Sequence, residues 1–250
     1  MKRRQLGWAV GLLVGSVLLS QTANAAIALD RTRVIFNGGQ KSISLNISNN
    51  NTQLPYLAQG WIENAKGEKI TSPLVVVPPV QRIEPGKASQ IKIEALPAAA
   101  TLPQDKESLF YFNLREIPPK SDKPNTLQIA LQTRVKLFYR PKAIEADKNG
   151  APWQAKLTLQ KQGETVTVAN PTPYYVTIIN AAADHKFAGE KGDNFTPVMI
   201  APFGTAPLGV KSSALGSRPV LTYINDYGGR PALTFLCQGN ECHTVPDEKK

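Results

Sequence analysis

The sequence predicts an all-β protein organised as two β-sandwiches joined by a short hinge. Three observations carry that prediction. Short segments of alternating apolar and polar residues recur along the chain between turn-forming clusters, the spacing a sandwich requires. No long window shows the periodicity of an amphipathic helix,. The strand pattern breaks once, at Pro141–Pro152, where KAIEADKNGA is polar and turn-forming, and a second series then begins,.

The first 25 residues stand apart from the fold. Lys2, Arg3 and Arg4 form a basic start, Leu6 to Leu19 is an apolar run of fourteen residues, and Ala23-Asn24-Ala25 is a small-residue cleavage signal. The run is shorter than the roughly 20 residues that span a bilayer, so residues 1–25 are expected to be a cleaved signal peptide, with a mature chain starting at Ala26. No later segment is apolar enough to span, so an exported protein without a membrane anchor is expected.

The first series begins with a strand around Ala26–Phe36. Ser42–Ser48 alternates cleanly, with Ile43, Leu45 and Ile47 on one face,. Tyr56–Glu63, Leu74–Val77, Ser89–Glu94 and Ser108–Arg115 follow, separated by NNNTQLP, NAKGEK, EPGK and LPQDKE,. Leu127–Tyr139 closes the set. This gives a first domain at 26–142, a hinge at 143–149 and a second domain at 150–250. The second series reads as Lys156–Gln160, Thr165–Ala169, Tyr174–Ala181, Pro197–Ile200, Thr205–Val210, Pro219–Ile224 and Ala232–Leu236.

Leu127–Tyr139 is unusual in its length. Leu127, Ile129, Leu131, Thr133, Val135, Leu137 and Tyr139 occupy the odd positions, against Gln128, Ala130, Gln132, Arg134, Lys136, Phe138 and Arg140. Thirteen residues at about 3.3 Å each would span roughly 43 Å, about twice an ordinary strand,. Such a strand overshoots the core of its own domain, and exposed strand edges are normally blunted because they template pairing with other chains. The expectation is a strand that serves an external partner, with a bulge or twist near Thr133 passing the apolar row from core to partner.

Composition narrows the function. Cleavage removes three of the 29 basic residues, leaving 26 against 19 acidic ones, a net charge of +7. These charges are scattered, without the clustered footprint of a nucleic-acid binder. A basic exported protein suits acidic or carboxylate-bearing partners. Cys237 and Cys242 read as a local disulfide in an oxidising compartment,. With only His185 and His243 in the chain a zinc site lacks ligands, and C-x4-C is not the redox spacing,. The sequence has no G-x-S-x-G, phosphate loop, Rossmann fingerprint or H-E-x-x-H,, so neither an enzyme nor a cofactor is indicated.

LDRTRVIF, LPYLAQGWIEN, PPVQRIEPG, ESLFYFNLREIPP, LQIALQTRVKLFYRP, NPTPYYVTI and YINDYGGRP together resemble the periplasmic pilus-assembly chaperones, the PapD-like family. The resemblance covers nearly all of the mature chain and is weakest at Ala181–Asn194. It implies two immunoglobulin-like sandwiches in a boomerang. It also implies a periplasmic role in capping pilus subunits by strand donation and delivering them to an outer-membrane usher.

By the same resemblance Arg33 and Lys136 anchor the subunit's terminal carboxylate, and Leu127, Ile129 and Leu131 are the donated residues. Ordinary core packing is the competing reading of that apolar row. Lys92, Glu107 and Asp226 match an interdomain ionic network. Lysine stands where the family usually has arginine, so a looser network is expected, since lysine cannot make the bidentate fork. The short EIPPKSDKPNT connection resembles the branch that assembles rod-like pili. The competing functions are a pilus subunit or adhesin, and an exported carbohydrate-binding or hydrolytic enzyme. An open strand edge also suggests that the free protein dimerises to cover it.

Overall fold

The computed structural model describes residues 25–145, 150–183 and 195–246. The expected signal peptide, apart from Ala25, lies outside the described residues, as do His185 and residues 146–149 of the expected hinge.

Ten strands build the first domain: β1 (Ile27–Leu29), β2 (Arg33–Asn37), β3 (Ser42–Asn49), β4 (Tyr56–Asn64), β5 (Lys69–Ile70), β6 (Leu74–Val77), β7 (Val80–Ile83), β8 (Ala88–Ala95), β9 (Ser108–Ile117) and β10 (Gln132–Arg140). One sheet has the order β1-β3-β8-β6; the other runs β2-β10-β9-β4-β5, with β7 paired to β4. Alternation fixes the faces. Leu45, Ile47, Ile91 and Ile93 from the first sheet meet Val34, Phe36, Ile62, Phe112, Leu114 and Leu137 from the second, all buried in one core.

Two expectations change here. The N-terminal strand is two strands in different sheets, because Asp30 interrupts it. Its carboxylate accepts hydrogen bonds from Arg31 Nε at 2.7 Å and from the backbone N–H and Nδ2 of Asn46. The long strand is also shorter than its pattern: Leu127–Leu131 precedes β10 and belongs to no strand. A strand extends only while a neighbour supplies ladder partners. The β9 ladder runs from Tyr139↔Ser108 to Gln132↔Arg115 without a register shift, so no bulge sits at Thr133. One further bond follows, from Glu116 N–H to the Leu131 carbonyl at 3.0 Å. Beyond β9 come Pro118 and Pro119, which have no N–H to continue it.

The second domain comprises β11 (Thr158–Gln162), β12 (Thr165–Ala169), β13 (Val176–Ala182), β14 (Val198–Ile200), β15 (Thr205–Lys211), β16 (Val220–Tyr223), β17 (Ala232–Gln238) and β18 (Glu241–Val245). They form one hydrogen-bonded path, β14-β13-β16-β17-β18-β11-β12-β15. That path folds over a single core containing Leu159, Val168, Ile178, Leu221 and Phe235. Sequence pattern does not mark β5, β7 and β18, each short or adjacent to prolines or a cysteine hairpin.

Cys237 and Cys242 sit directly opposite each other on β17 and β18 and are disulfide-bonded. Intact-mass measurement with alkylation is expected to find two reactive thiols only after reduction; labelling of the unreduced protein would exclude the bond. So small a loop contributes less than the roughly 3 kcal/mol of a 15-residue loop. Reduction should therefore weaken the second domain while the first stays folded.

Candidate functional site

The site grows from the two faces of β10. Its odd residues Val135, Leu137 and Tyr139 enter the first-domain core, so its even residues Lys136, Phe138 and Arg140 must face the other way,. There they meet the second domain. Phe138 packs on Tyr175 with ring centroids 5.5 Å apart. Parallel pairing with β2 sets Lys136 beside Arg33, Phe138 beside Ile35 and Arg140 beside Asn37.

Two cations therefore stand side by side where the two domains meet. Arg33 is buried and donates from Nη1 to the Ile224 carbonyl at 3.2 Å, while Lys136 Nζ donates to Thr177 Oγ1 at 3.2 Å. Among the described residues neither has a carboxylate within ion-pair distance, and Arg33 Nε is enclosed without a hydrogen-bond partner. Burial lowers the pKa of both groups. For Lys136 the neighbouring Arg33 charge lowers it further, and for Arg33 the charges of Asp226 and Glu107 work in the opposite direction. Desolvated like charges are held here at an electrostatic cost that an incoming anion relieves.

The strand edge next to this pair is open. β2 begins at Arg33, opposite Lys136, so among the described residues β10 has no strand neighbour on that side before Lys136. Just upstream, Leu127, Ile129 and Leu131 are 86 %, 66 % and 42 % exposed. Ordinary core packing, the competing reading of these three residues, does not hold. They continue the parity of Val135 and Leu137 but lie past the end of the sandwich.

The ionic network differs from expectation in one member. Glu107 and Asp226 do come together, and Arg140 joins them in place of Lys92. Arg140 lies 2.8 Å from Glu107 and 2.7 Å from Asp226, with its guanidinium over the Tyr174 ring at 4.8 Å. Glu107 also accepts the Tyr175 N–H at 2.8 Å, and its own N–H donates to the Pro173 carbonyl. Lys92 is exposed on β8, in the other sheet, because Ile91 and Ile93 take the inward positions beside it. Burial raises the Glu107 pKa, opposed by Arg140 and the Tyr175 N–H. Burial alone would lower that of Arg140, but the Asp226 hydrogen bonds and the Glu107 charge outweigh it and raise it. The fork geometry that lysine lacks is thus supplied by arginine from another strand. The signal for Arg140 is Phe138, an aromatic between Lys136 and Arg140 in the even-numbered row, which marks that part of the row as covered.

Among the described residues there is no cluster of metal-ligating side chains and no helix long and apolar enough to cross a membrane. The chain is thus a two-domain β-fold with an open strand edge beside two cations that, among the described residues, have no carboxylate partner. Residues 26–145 match the family described as "Pili and flagellar-assembly chaperone, PapD N-terminal domain", and residues 152–235 match "Pili assembly chaperone PapD, C-terminal domain". The chain belongs to this family of pilus-assembly chaperones. It is 53 % identical over 244 residues to the probable fimbrial chaperone YfcS of Escherichia coli K12, covering 96 % of each chain. It is 54 % identical over 228 residues to the chaperone protein PapD of Escherichia coli, covering 91 % of this chain and 92 % of that one. Among solved structures it resembles the Salmonella enterica SafB chaperone in complex with the SafA pilin, at TM-score 0.69 and 25 % identity, over 86 % of this chain and 98 % of that one. Both domains fall within chaperone profiles, so the chain is a fimbrial chaperone and not a pilus subunit or adhesin.

Proposed function

We propose that this chaperone caps pilus subunits in the periplasm, after signal cleavage, by lending them the segment carrying Leu127, Ile129 and Leu131, and that it then delivers them to an outer-membrane usher. The observation that carries this reading is the alignment of the open β10 edge with the Arg33–Lys136 pair. A subunit strand whose terminal carboxylate sits between these cations would occupy the line of β2, on the free edge upstream of Lys136. Its chain must then run parallel to β10, as β2 does, with Leu127, Ile129 and Leu131 entering the subunit's apolar groove. Charge-assisted bonds to the carboxylate fix the register, and main-chain ladder bonds supply affinity. On this reading Arg140, Glu107 and Asp226 set the angle between domains 26–142 and 150–250 across the hinge at 143–149, and so the width of the cleft. In the free protein the same edge pairs with a second copy, and subunit binding dissolves that dimer.

Binding of a peptide with a subunit's C-terminal sequence tests the anchor. Arg33→Ala and Lys136→Ala are expected to fold normally and to lose about 2–5 kcal/mol of peptide affinity, the usual cost of truncating one partner of such a contact. A C-terminally amidated peptide should bind wild type as weakly as the free acid binds the variants. Equal binding of acid and amide would remove the anchoring role.

The pH dependence carries a sign. Only protonated Lys136 attracts a carboxylate, and in the free protein its pKa lies below the ordinary 10.5. Affinity should therefore start to fall at a pH below 10.5 as alkali is added, and Lys136→Arg should hold it to higher pH. Identical alkaline profiles for the two proteins would show that Lys136 does not titrate at the site.

A further inference from the structure

Glu116 is a second buried carboxylate besides Glu107, and the site described above does not use it. It follows Phe110, Phe112 and Leu114 in the inward row of β9 and is only 5 % exposed. Among the described residues its carboxylate accepts from the backbone N–H of Ile27, at 2.9 Å. Among the described residues no cationic side chain pairs with it, although buried carboxylates ordinarily require a counter-ion.

The nitrogen of Ala26 is three covalent bonds from that of Ile27. Cleavage after Ala25 converts the Ala26 nitrogen from an amide into an ammonium. We infer that this new α-ammonium is the counter-ion of Glu116, so that signal removal itself completes the first domain by an ion pair across the two sheets. The inference rests on cleavage before Ala26.

The surroundings hold the two groups in place. β1 is fixed to β3 at Ile27↔Asn49, the Ala26 carbonyl accepts the Asn50 N–H at 2.7 Å, and the Ile27 side chain is buried. The chain start therefore cannot swing away without breaking that packing. The same Glu116 donates its backbone N–H to the Leu131 carbonyl. The pair thus braces the root of the exposed apolar segment, and the precursor, with an uncharged amide at Ala26, lacks the brace.

The test uses the exported protein. Intact mass first establishes the N-terminus: a start other than Ala26 removes both the cleavage reading and the ion pair. With Ala26 established, mature protein is compared by urea unfolding with Nα-acetylated protein and with a form retaining Ala25. Both altered forms are expected to shift the unfolding equilibrium by about tenfold, equivalent to one pK unit of coupling. Glu116→Gln should abolish the difference between mature and altered forms. The Ala26 α-amino pKa, followed by NMR in the wild type, should lie above its ordinary range of about 7.7–8.0. Equal stability of the three forms, a gap that survives Glu116→Gln, or an ordinary α-amino pKa would each overturn the pair while leaving the cleavage site established.

Discussion

Ile129→Lys is expected to leave the thermal midpoint of the free chaperone nearly unchanged and to abolish subunit capture. Ile129 is 66 % exposed and lies outside the buried core, so a lysine there leaves the packing within each protomer intact. In the complex its ammonium would enter an apolar groove without a counter-ion, a cost of several kcal/mol. The matched variant is Ile47→Lys. Ile47 is 1 % exposed in the first-domain core, and charging it should unfold that domain whether or not a subunit is present,. The pair of variants separates binding from folding. Joint unfolding of both, or capture of subunits by Ile129→Lys at wild-type affinity, would remove the donor role from Leu127, Ile129 and Leu131.

Arg140→Ala should cost about 3–5 kcal/mol near neutral pH, because it leaves a buried carboxylate unpaired. Glu107 is that carboxylate, and burial already raises its pKa. Without Arg140 the folded state holds a proton on Glu107 that the unfolded state releases at its ordinary pKa of about 4.3. The folded state then binds more protons over that window, so the variant's stability falls as pH rises through it. The deficit against wild type should be small where both states hold the Glu107 proton and should grow as pH rises toward neutral. Arg140→Met combined with Glu107→Leu removes both buried charges and should recover most of the loss. Urea unfolding reads the free energies and X-ray scattering reads the angle between domains. A small, pH-independent deficit with unchanged scattering would show that Arg140 does not hold the domains together.

Much of the fold was readable because alternation is a local property. Ser42–Asn49, Tyr56–Asn64 and Thr165–Ala169 fall where the periodicity put them, within a residue. The exposed apolar row was legible for the same reason, since Leu127, Ile129 and Leu131 keep a period of two where no turn chemistry interrupts it. Arg33 and Lys136 were not legible from local chemistry. Each looks like a surface cation, and only the resemblance to known chaperones paired them. Lys92 was misplaced because a sequence match carries no direction: on β8 its neighbours Ile91 and Ile93 own the core, so it points to solvent.

Local pattern alone was enough for the β class, the two domains, the apolar row at Leu127–Leu131 and the position of the cysteine pair. These follow from residue order, turn-forming clusters and the period of the pleat. Tertiary structure decided where β10 stops, because a strand lasts only while Ser108–Ile117 and Arg33–Asn37 offer it ladder partners. It also decided which even-numbered side chains are covered, turning Arg140 from a surface charge into the junction of Glu107 and Asp226, and it brought Glu116 to the backbone of Ile27. Burial and pairing of charge are set by residues 33, 86 and 89 positions apart in the chain, a separation at which local pattern carries no information.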